Sequence, residues 1–145
     1  VRSSAASDVY KRQVYMLDWY AYGIGKVPAK VATTYQNISD AWSLLIDQKW
    51  HDRITAIKVS DGGLSYVEFF EYRKNKMSIP LFNIYCATGS NREYYAERTD
   101  LIQLGQTTQA IYFAKLTNEG EQSELALTGD EIKARFSLVN QAWNN

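Results

Sequence analysis

The sequence predicts an α+β domain, with two principal helices packed on a mainly antiparallel sheet of about five to seven strands. The first of three observations is a central run of β-branched and aromatic residues that suits a β-meander of three strands. The second is alternation of apolar and polar residues in the flanking segments, which is typical of half-buried strands. The third is a pair of segments with apolar residues at helical spacing after a capping residue. The meander strands are expected at Ile54–Val59, Leu64–Tyr72 and Ile79–Cys86.

Two strands and a helix are predicted before the meander. Val14–Tyr22 alternates between apolar and polar positions, and Ala29–Tyr35 can return beside it after a glycine-rich turn. Asn37–Trp50 is predicted to be the first principal helix, because Asn37 or Ser39 can cap it and a carboxylate follows in the first turn. Its apolar face would comprise Ile38, Trp42, Leu45, Ile46 and Trp50.

The segment directly after the meander is the least regular part of the chain. Ser90 and Glu93 have the spacing of a capping box, which predicts a short helix at Asn91–Arg98. Thr99–Gln109 is expected to be a loop or an edge strand. A hairpin should follow, formed by the strand Ala110–Thr117, the turn Asn118–Glu121 and the strand Ser123–Leu127.

The second principal helix is predicted at the end of the chain. Thr128 and Glu131 form a capping box, and Leu127 and Ile132 are placed to form the accompanying hydrophobic staple. Apolar residues then recur at helical spacing, which is typical of a helix docked on a sheet. They are Ile132, Phe136, Val139 and Trp143.

The first residues of the chain, VRSSAASDVYKRQ, differ in pattern from the rest. They resemble translated sequencing-adapter read-through at the ends of reading frames from environmental DNA. That resemblance implies an uncultured microbial or viral source. We therefore expect residues 1–13 to be a non-native extension and residues 14–145 to form a single α+β domain.

Size and composition exclude several classes of protein. With 145 residues, of which 46% are hydrophobic, the chain can bury a core of its own. A formal charge of +0 argues against a nucleic-acid partner, since phosphate binding needs a concentrated positive surface. No apolar run reaches the roughly 20 residues of a membrane helix. A single cysteine fits a reducing compartment, so a cytoplasmic location is expected.

The scarcity of histidine and cysteine restricts the chemistry further. His51 is the only histidine and Cys86 the only cysteine, which excludes a two-histidine mechanism and a Cys/His zinc site within one chain. No acidic cluster has recognisable ligand spacing, so we expect neither a metal site nor a cofactor. A ribonuclease-like set could be drawn from His51, Glu68, Glu71 and Arg73, but such charges are also typical of an exposed strand face.

One catalytic pattern is present in Cys86-Ala87-Thr88-Gly89-Ser90-Asn91-Arg92. Its Cys-x-x-Gly-x-x-Arg spacing resembles the signature loop of cysteine-dependent phosphatases. The resemblance implies that Cys86 attacks phosphorus as a thiolate and that Arg92 clamps the phosphate oxygens. It also implies that Asp52, in Trp50-His51-Asp52, is the general acid, since the family carries an aspartate in a Trp-x-Asp loop.

The phosphatase pattern is incomplete at two positions. Tyr85 stands where the family usually has histidine, and Glu93 follows Arg92 where the family has serine or threonine. A carboxylate at the mouth of an anion site would repel the substrate. The competing interpretation is a small buried cysteine at a strand end, followed by a turn and a capped helix.

Aromatic residues in the irregular segment favour a binding function instead. Interleaved tyrosine and arginine side chains can anchor a protein partner or stack on a ligand. The leading interpretation is therefore a small cytoplasmic binding or accessory protein of microbial or phage origin, with a protein or a small molecule as its ligand. An exposed edge strand could also pair two copies of the chain. The expected binding residues are Tyr22, Arg92, Tyr94, Tyr95 and Arg98.

Overall fold

The computed structural model describes residues 16–21, 29–50, 53–72 and 78–139. These residues form two antiparallel sheets and a few short helices. The α-helices are α1 (Glu93–Ala96), α2 (Asn118–Glu121) and α3 (Gly129–Arg135), and Gln48–Trp50 forms a single 3₁₀ turn. The strands are β1 (Met16–Ala21), β2 (Ala29–Asn37), β3 (Trp42–Leu45), β4 (Ile54–Asp61), β5 (Leu64–Glu71), β6 (Ile79–Thr88), β7 (Ile102–Gln106), β8 (Ala110–Leu116) and β9 (Phe136–Leu138).

The described strands pair into a sheet of order β1-β2-β3-β9 and a sheet of order β4-β5-β6-β8-β7. Every pairing is antiparallel. The prediction of an antiparallel, sheet-rich fold is therefore confirmed, and a fold with so few helical residues is compatible with either a mainly-β or an α+β class. β4 passes into β5 through Gly62 and Gly63, and Gly62 has φ +62°, a conformation that glycine adopts without strain.

Aromatic side chains from both sheets form the core between them. Tyr35 of β2 meets Phe69 of β5 edge-on, with ring centroids 5.3 Å apart. Trp42 of β3 lies 6.5 Å from Phe69 and 5.7 Å from Phe136 of β9, measured between ring centroids. Because these rings belong to different sheets, their burial holds the sheets face to face.

The prediction of a helix at 37–50 is wrong. Strand β2 runs to Asn37, a turn follows, and β3 then pairs antiparallel with β2. The Asn37 side-chain oxygen accepts hydrogen bonds from the Asp40 backbone N–H and the Ser39 hydroxyl, both at 3.1 Å. These bonds stabilise a turn as well as they would cap a helix. Ala41 completes the turn at φ 64°, in the left-handed region.

The C-terminal helix is shorter than predicted. The capping box of Thr128 and Glu131 is confirmed, and backbone hydrogen bonding to Thr128 keeps the pKa of the Glu131 carboxyl below its usual value. The helix ends at Arg135, however, and Phe136 begins β9 on the free side of β3. Phe136 and Leu138 are buried while the residue between them is exposed, a period of two that suits a strand. Trp143 lies outside the described residues.

Three further local predictions are resolved. The segment 123–127 forms no strand, and the turn before it is the one-turn helix α2. Helix α1 spans only one turn and has no side-chain cap, so the Ser90 capping box is wrong. Within Thr99–Gln109, β7 forms an edge of the five-stranded sheet. The predicted extension at residues 1–13 lies outside the described part of the chain.

Candidate functional site

We call the side of the five-stranded sheet that faces away from the main core the outer face. On this face, one residue from each of four adjacent strands lies in direct register with the next. Val59 of β4 pairs with Tyr66 of β5, which pairs with Tyr85 of β6, which pairs with Phe113 of β8. Directly opposed residues in antiparallel strands project from the same side. The alternate residues of these strands, such as Val67 and Ile84, belong to the core.

Five rings form a continuous row on the outer face. Ring centroids lie 5.0 Å apart for Tyr66 and Tyr85, and 4.8 Å apart for Tyr85 and Phe113. Tyr95 stacks on Phe113 at 5.2 Å with an interplanar angle of 16°, and Tyr94 meets Tyr95 edge-on at 5.4 Å. Tyr94 is 63% exposed. We call these residues the aromatic row: Tyr66, Tyr85, Phe113, Tyr95 and Tyr94.

The segment between β6 and β7 folds back over the outer face and positions Tyr95. Gly89 has φ +86°, which lets the chain turn as it leaves β6. Tyr95, Ala96 and Leu101 then pack against a small cluster that includes Phe113. The segment most irregular in sequence is thus anchored by apolar contacts on one side.

Arg92 and Arg98 bond within the chain. Arg92 donates from Nη1 to the Gly89 carbonyl at 2.6 Å and from Nη2 to the Thr108 carbonyl at 3.1 Å. Arg98 forms a bidentate ion pair with Asp100, whose hydrogen bonds raise the pKa of Arg98 and lower that of Asp100. Both guanidinium groups therefore brace the segment that carries Tyr94 and Tyr95.

Of the residues expected to bind, Tyr94 and Tyr95 lie together on the aromatic row, and Tyr22 lies outside the described residues. Sequence reasoning missed Tyr66 and Tyr85. A signal for them was present, because each alternates with core residues in a predicted central strand. Their direct pairing depends on strand register, which the sequence did not supply.

Cys86 lies on the opposite side of the sheet from the aromatic row. It is within β6, paired with Ser65 and Tyr112, and its side chain is buried in the main core with 5% of its surface exposed. Burial raises the pKa of the thiol to about 11, and the nearby Asp40 carboxylate acts in the same direction. Desolvation also raises the pKa of the Tyr112 phenol, and the adjacent Cys86 adds to that shift.

The described residues do not form a phosphate cradle beginning at Cys86. The strand continues to Thr88, whose backbone N–H donates to the Gly63 carbonyl at 2.8 Å. The Arg92 guanidinium is bonded to the backbone carbonyls of Gly89 and Thr108, as described above. A raised thiol pKa also leaves little of the thiolate that attacks phosphorus. Asp52, the expected general acid, lies outside the described residues.

Cys86 is therefore expected to alkylate slowly in the native protein. At neutral pH, iodoacetamide should react about a hundredfold more slowly than in the same protein unfolded in urea. The rise in pKa from 9.0 to about 11 lowers the thiolate fraction by that factor. Mass spectrometry of timed samples measures both rates, with Cys86→Ser as the unlabelled control. A native rate that reaches its plateau below about pH 7 would instead indicate an activated thiolate.

The carboxylates proposed for a ribonuclease-like set do not meet on one face. Glu68 lies on the outer face, opposite Ile57 and Asn83. Glu71 is buried, and its Oε1 accepts a hydrogen bond from the Ser123 hydroxyl at 2.6 Å. Its other oxygen lies 3.9 Å from the Arg53 guanidinium. Glu71 thus joins β5 to the segment after α2, while His51 and Arg73 lie outside the described residues.

No group of three or more His, Cys, Asp or Glu side chains among the described residues could hold a metal ion. None of the helices in that part of the chain combines the length and apolarity needed to cross a bilayer. Comparison with protein-family models, with curated proteins and with solved structures gave no match.

Proposed function

We propose that this chain is a binding protein that recognises another protein through the outer face of its five-stranded sheet. The observation that supports the proposal is the aromatic row, which runs from the sheet surface to the exposed Tyr94 ring. Tyrosine is enriched where proteins meet, because its large ring orders at little entropic expense and its hydroxyl satisfies hydrogen bonds at the rim.

The stacking geometry favours a protein over a small-molecule ligand. Tyr85 and Tyr95 lie nearly parallel to Phe113, at interplanar angles of 11° and 16°, so they cover its two faces. The row therefore offers mainly ring edges and hydroxyl groups to a ligand. A broad strand surface with such edges suits a flat protein epitope, whereas small ligands are usually enclosed in concave sites.

The supporting segment is braced in a way that suits recognition. Arg92 ties the turn after β6 to Thr108, and Arg98, which pairs with Asp100, donates from its backbone N–H to the Tyr95 carbonyl at 3.3 Å. A loop held by its own bonds loses less conformational entropy when a partner binds. We also propose a cytoplasmic setting, because a free, buried Cys86 fits a reducing compartment.

Peptides selected from a random phage-displayed library on the immobilised chain are expected to bind the aromatic row. Tyr94→Ser should weaken the selected peptides by about tenfold or more, the loss typical of an interface hot spot. Tyr85→Leu, which keeps apolar bulk against Phe113, should weaken them by a similar factor. Biolayer interferometry with synthetic copies of the peptides gives the affinities.

The matched control is Ile38→Ser, because Ile38 is 73% exposed at the turn between β2 and β3. This variant should bind the peptides as the unchanged chain does. Circular dichroism and urea unfolding establish that all three variants are folded. The opposite result is that the peptides bind Tyr94→Ser and Tyr85→Leu normally but lose affinity for Ile38→Ser. It would place the binding surface on the other sheet and overturn the proposal.

A further inference from the structure

The aromatic row ends at Tyr66, one strand from the edge of the five-stranded sheet. One face of the Tyr66 ring is next to Tyr85, and its other cross-strand neighbour is the aliphatic Val59 of β4. Tyr85 and Phe113 each have rings on two sides, but Tyr66 has an aromatic neighbour on one side only among the described residues. Tyr66 is only partly buried, so part of its surface remains accessible to a ligand.

Two carboxylates flank Tyr66 on the outer face. Glu68 is two residues further along β5, and Asp61 of β4 stands opposite Leu64, diagonally across from Tyr66. Neither carboxylate forms an ion pair or a side-chain hydrogen bond with another described residue. Burial is the largest cause of the raised pKa of the Tyr66 phenol. The negative charges of Glu68 and Asp61 raise this pKa further.

The excess of negative charge continues across the surrounding surface. Glu93 and Glu97 are exposed on the segment that covers the same face, and within the described part of the chain they too have no ion-pair partner. Arg98 is neutralised by Asp100, whereas Lys115 of β8 is exposed without such a pair. Cationic groups of a partner are favoured here, and phosphate groups are repelled.

We infer that the Tyr66 ring, between Asp61 and Glu68, holds a lysine or arginine side chain of the partner protein. A cation over a tyrosine ring is attracted by the negative face of the π-system, and the carboxylates can accept its N–H groups. This inference rests on the proposed function and specifies the partner: a protein segment with an exposed basic side chain. An arginine fits best, because its planar group can stack on the ring and donate to both sides.

The probe is a synthetic peptide of alternating glycine and arginine, and the matched peptide has citrulline, which is uncharged, in place of arginine. Titration into the ¹⁵N-labelled chain is followed through backbone amide shifts. The arginine peptide should shift the amides of Asp61, Tyr66 and Glu68, and the citrulline peptide should bind at least about fivefold more weakly. Equal binding of the two peptides would overturn the inference.

Variants separate the ring from the charge. Tyr66→Leu should weaken the arginine peptide by roughly fivefold to tenfold, whereas Tyr66→Phe, which keeps the ring, should retain most of the affinity. Glu68→Gln should weaken it by about threefold. Asp130→Asn removes the same charge from an exposed position of α3 and should leave the affinity unchanged. A loss of affinity in Asp130→Asn equal to that in Glu68→Gln would indicate a general charge effect and overturn the inference.

Failure of this inference can be distinguished from failure of the proposed function. In one outcome, library-selected peptides need Tyr85 and Tyr94 but tolerate Tyr66→Leu and contain no excess of arginine or lysine. That outcome would support the proposed binding surface and contradict the cation site. Sedimentation of the chain alone tests whether another copy of the chain, rather than a basic partner, occupies this site. Self-association that Tyr66→Leu abolishes would assign the Tyr66 ring to another copy of the chain and likewise reject a basic partner.

Discussion

Gly120→Ala is expected to destabilise the fold by about 3 kcal/mol, the upper end of the usual range for overpacking. In a helix this substitution normally stabilises, because glycine loses more backbone freedom on folding. At Gly120 the sign reverses. A Cβ built there would lie 2.6 Å from the Thr117 hydroxyl oxygen and 2.7 Å from the Leu81 carbonyl carbon, and closer still to the Leu81 carbonyl oxygen.

The atoms around Gly120 cannot readily move away. The Thr117 hydroxyl caps α2 by accepting from the Gly120 N–H at 2.8 Å, and it donates to the Pro80 carbonyl at 2.7 Å. The Thr117 N–H also donates to the Leu81 carbonyl at 3.2 Å. A methyl group at Gly120 would have to separate α2 from β6 and break these bonds. Relief of the clash by a flexible side chain is therefore excluded.

Urea unfolding followed by circular dichroism measures the Gly120→Ala effect. Glu119→Ala, on the exposed side of the same short helix, is the control and should change the free energy of unfolding by less than about 0.5 kcal/mol. A Gly120→Ala protein as stable as the unchanged chain would mean that α2 does not pack against β6 as described.

Trp42→Ala is expected to lower the free energy of unfolding by about 4 kcal/mol. Trp42 is fully buried, with 0% of its surface exposed, and contacts rings from both sheets. Its removal would leave a cavity where the two sheets meet. The rigid strand backbones on either side can close such a cavity only in part.

The control for Trp42→Ala lies on the same short strand. Leu45 is 43% exposed, so Leu45→Ala should lower the free energy of unfolding by no more than about 1 kcal/mol. Trp42→Phe should recover part of the loss, because it refills some of the volume. The predicted helix at 37–50 placed Trp42 and Leu45 on the same apolar face, so similar effects at these positions would contradict the strand assignment.

The central strands could be predicted from sequence because their signals are local. In β5, Tyr66 and Glu68 alternate with Val67 and Phe69, and glycines mark the turn before it. The segment 37–50 could not be predicted, because the Asn37 side chain bonds to a turn as readily as to a helix. The end of α3 depends on pairing between Phe136 and Leu44, which are distant in sequence. Tertiary pairing there outweighs helical periodicity.

The candidate site was predictable in part for the same reason. The polar, irregular context of Tyr94 and Tyr95 indicated a surface role; Tyr94 is 63% exposed, whereas Tyr95 is partly buried against Phe113. Tyr66 and Tyr85 join them only through the register of β5 against β6. The cysteine spacing alone did not indicate that Cys86 lies within β6 with its side chain in the core, because a short spacing does not specify which side of a strand a residue occupies.

The two-glycine link between β4 and β5 has a consequence for recognition. Successive residues of β6 carry Tyr85 toward the solvent and Cys86 toward the interior, so a displacement of β6 by one residue would exchange them. Gly63 helps to fix the register, since its carbonyl accepts a hydrogen bond from the Thr88 N–H at 2.8 Å, and a Cβ at Gly63 would lie only 2.8 Å from the Thr88 carbonyl oxygen at the end of β6. This close backbone approach acts as an alignment point. A substitution at Gly63 could therefore change which side chains of β6 face the solvent, although no aromatic residue has been replaced.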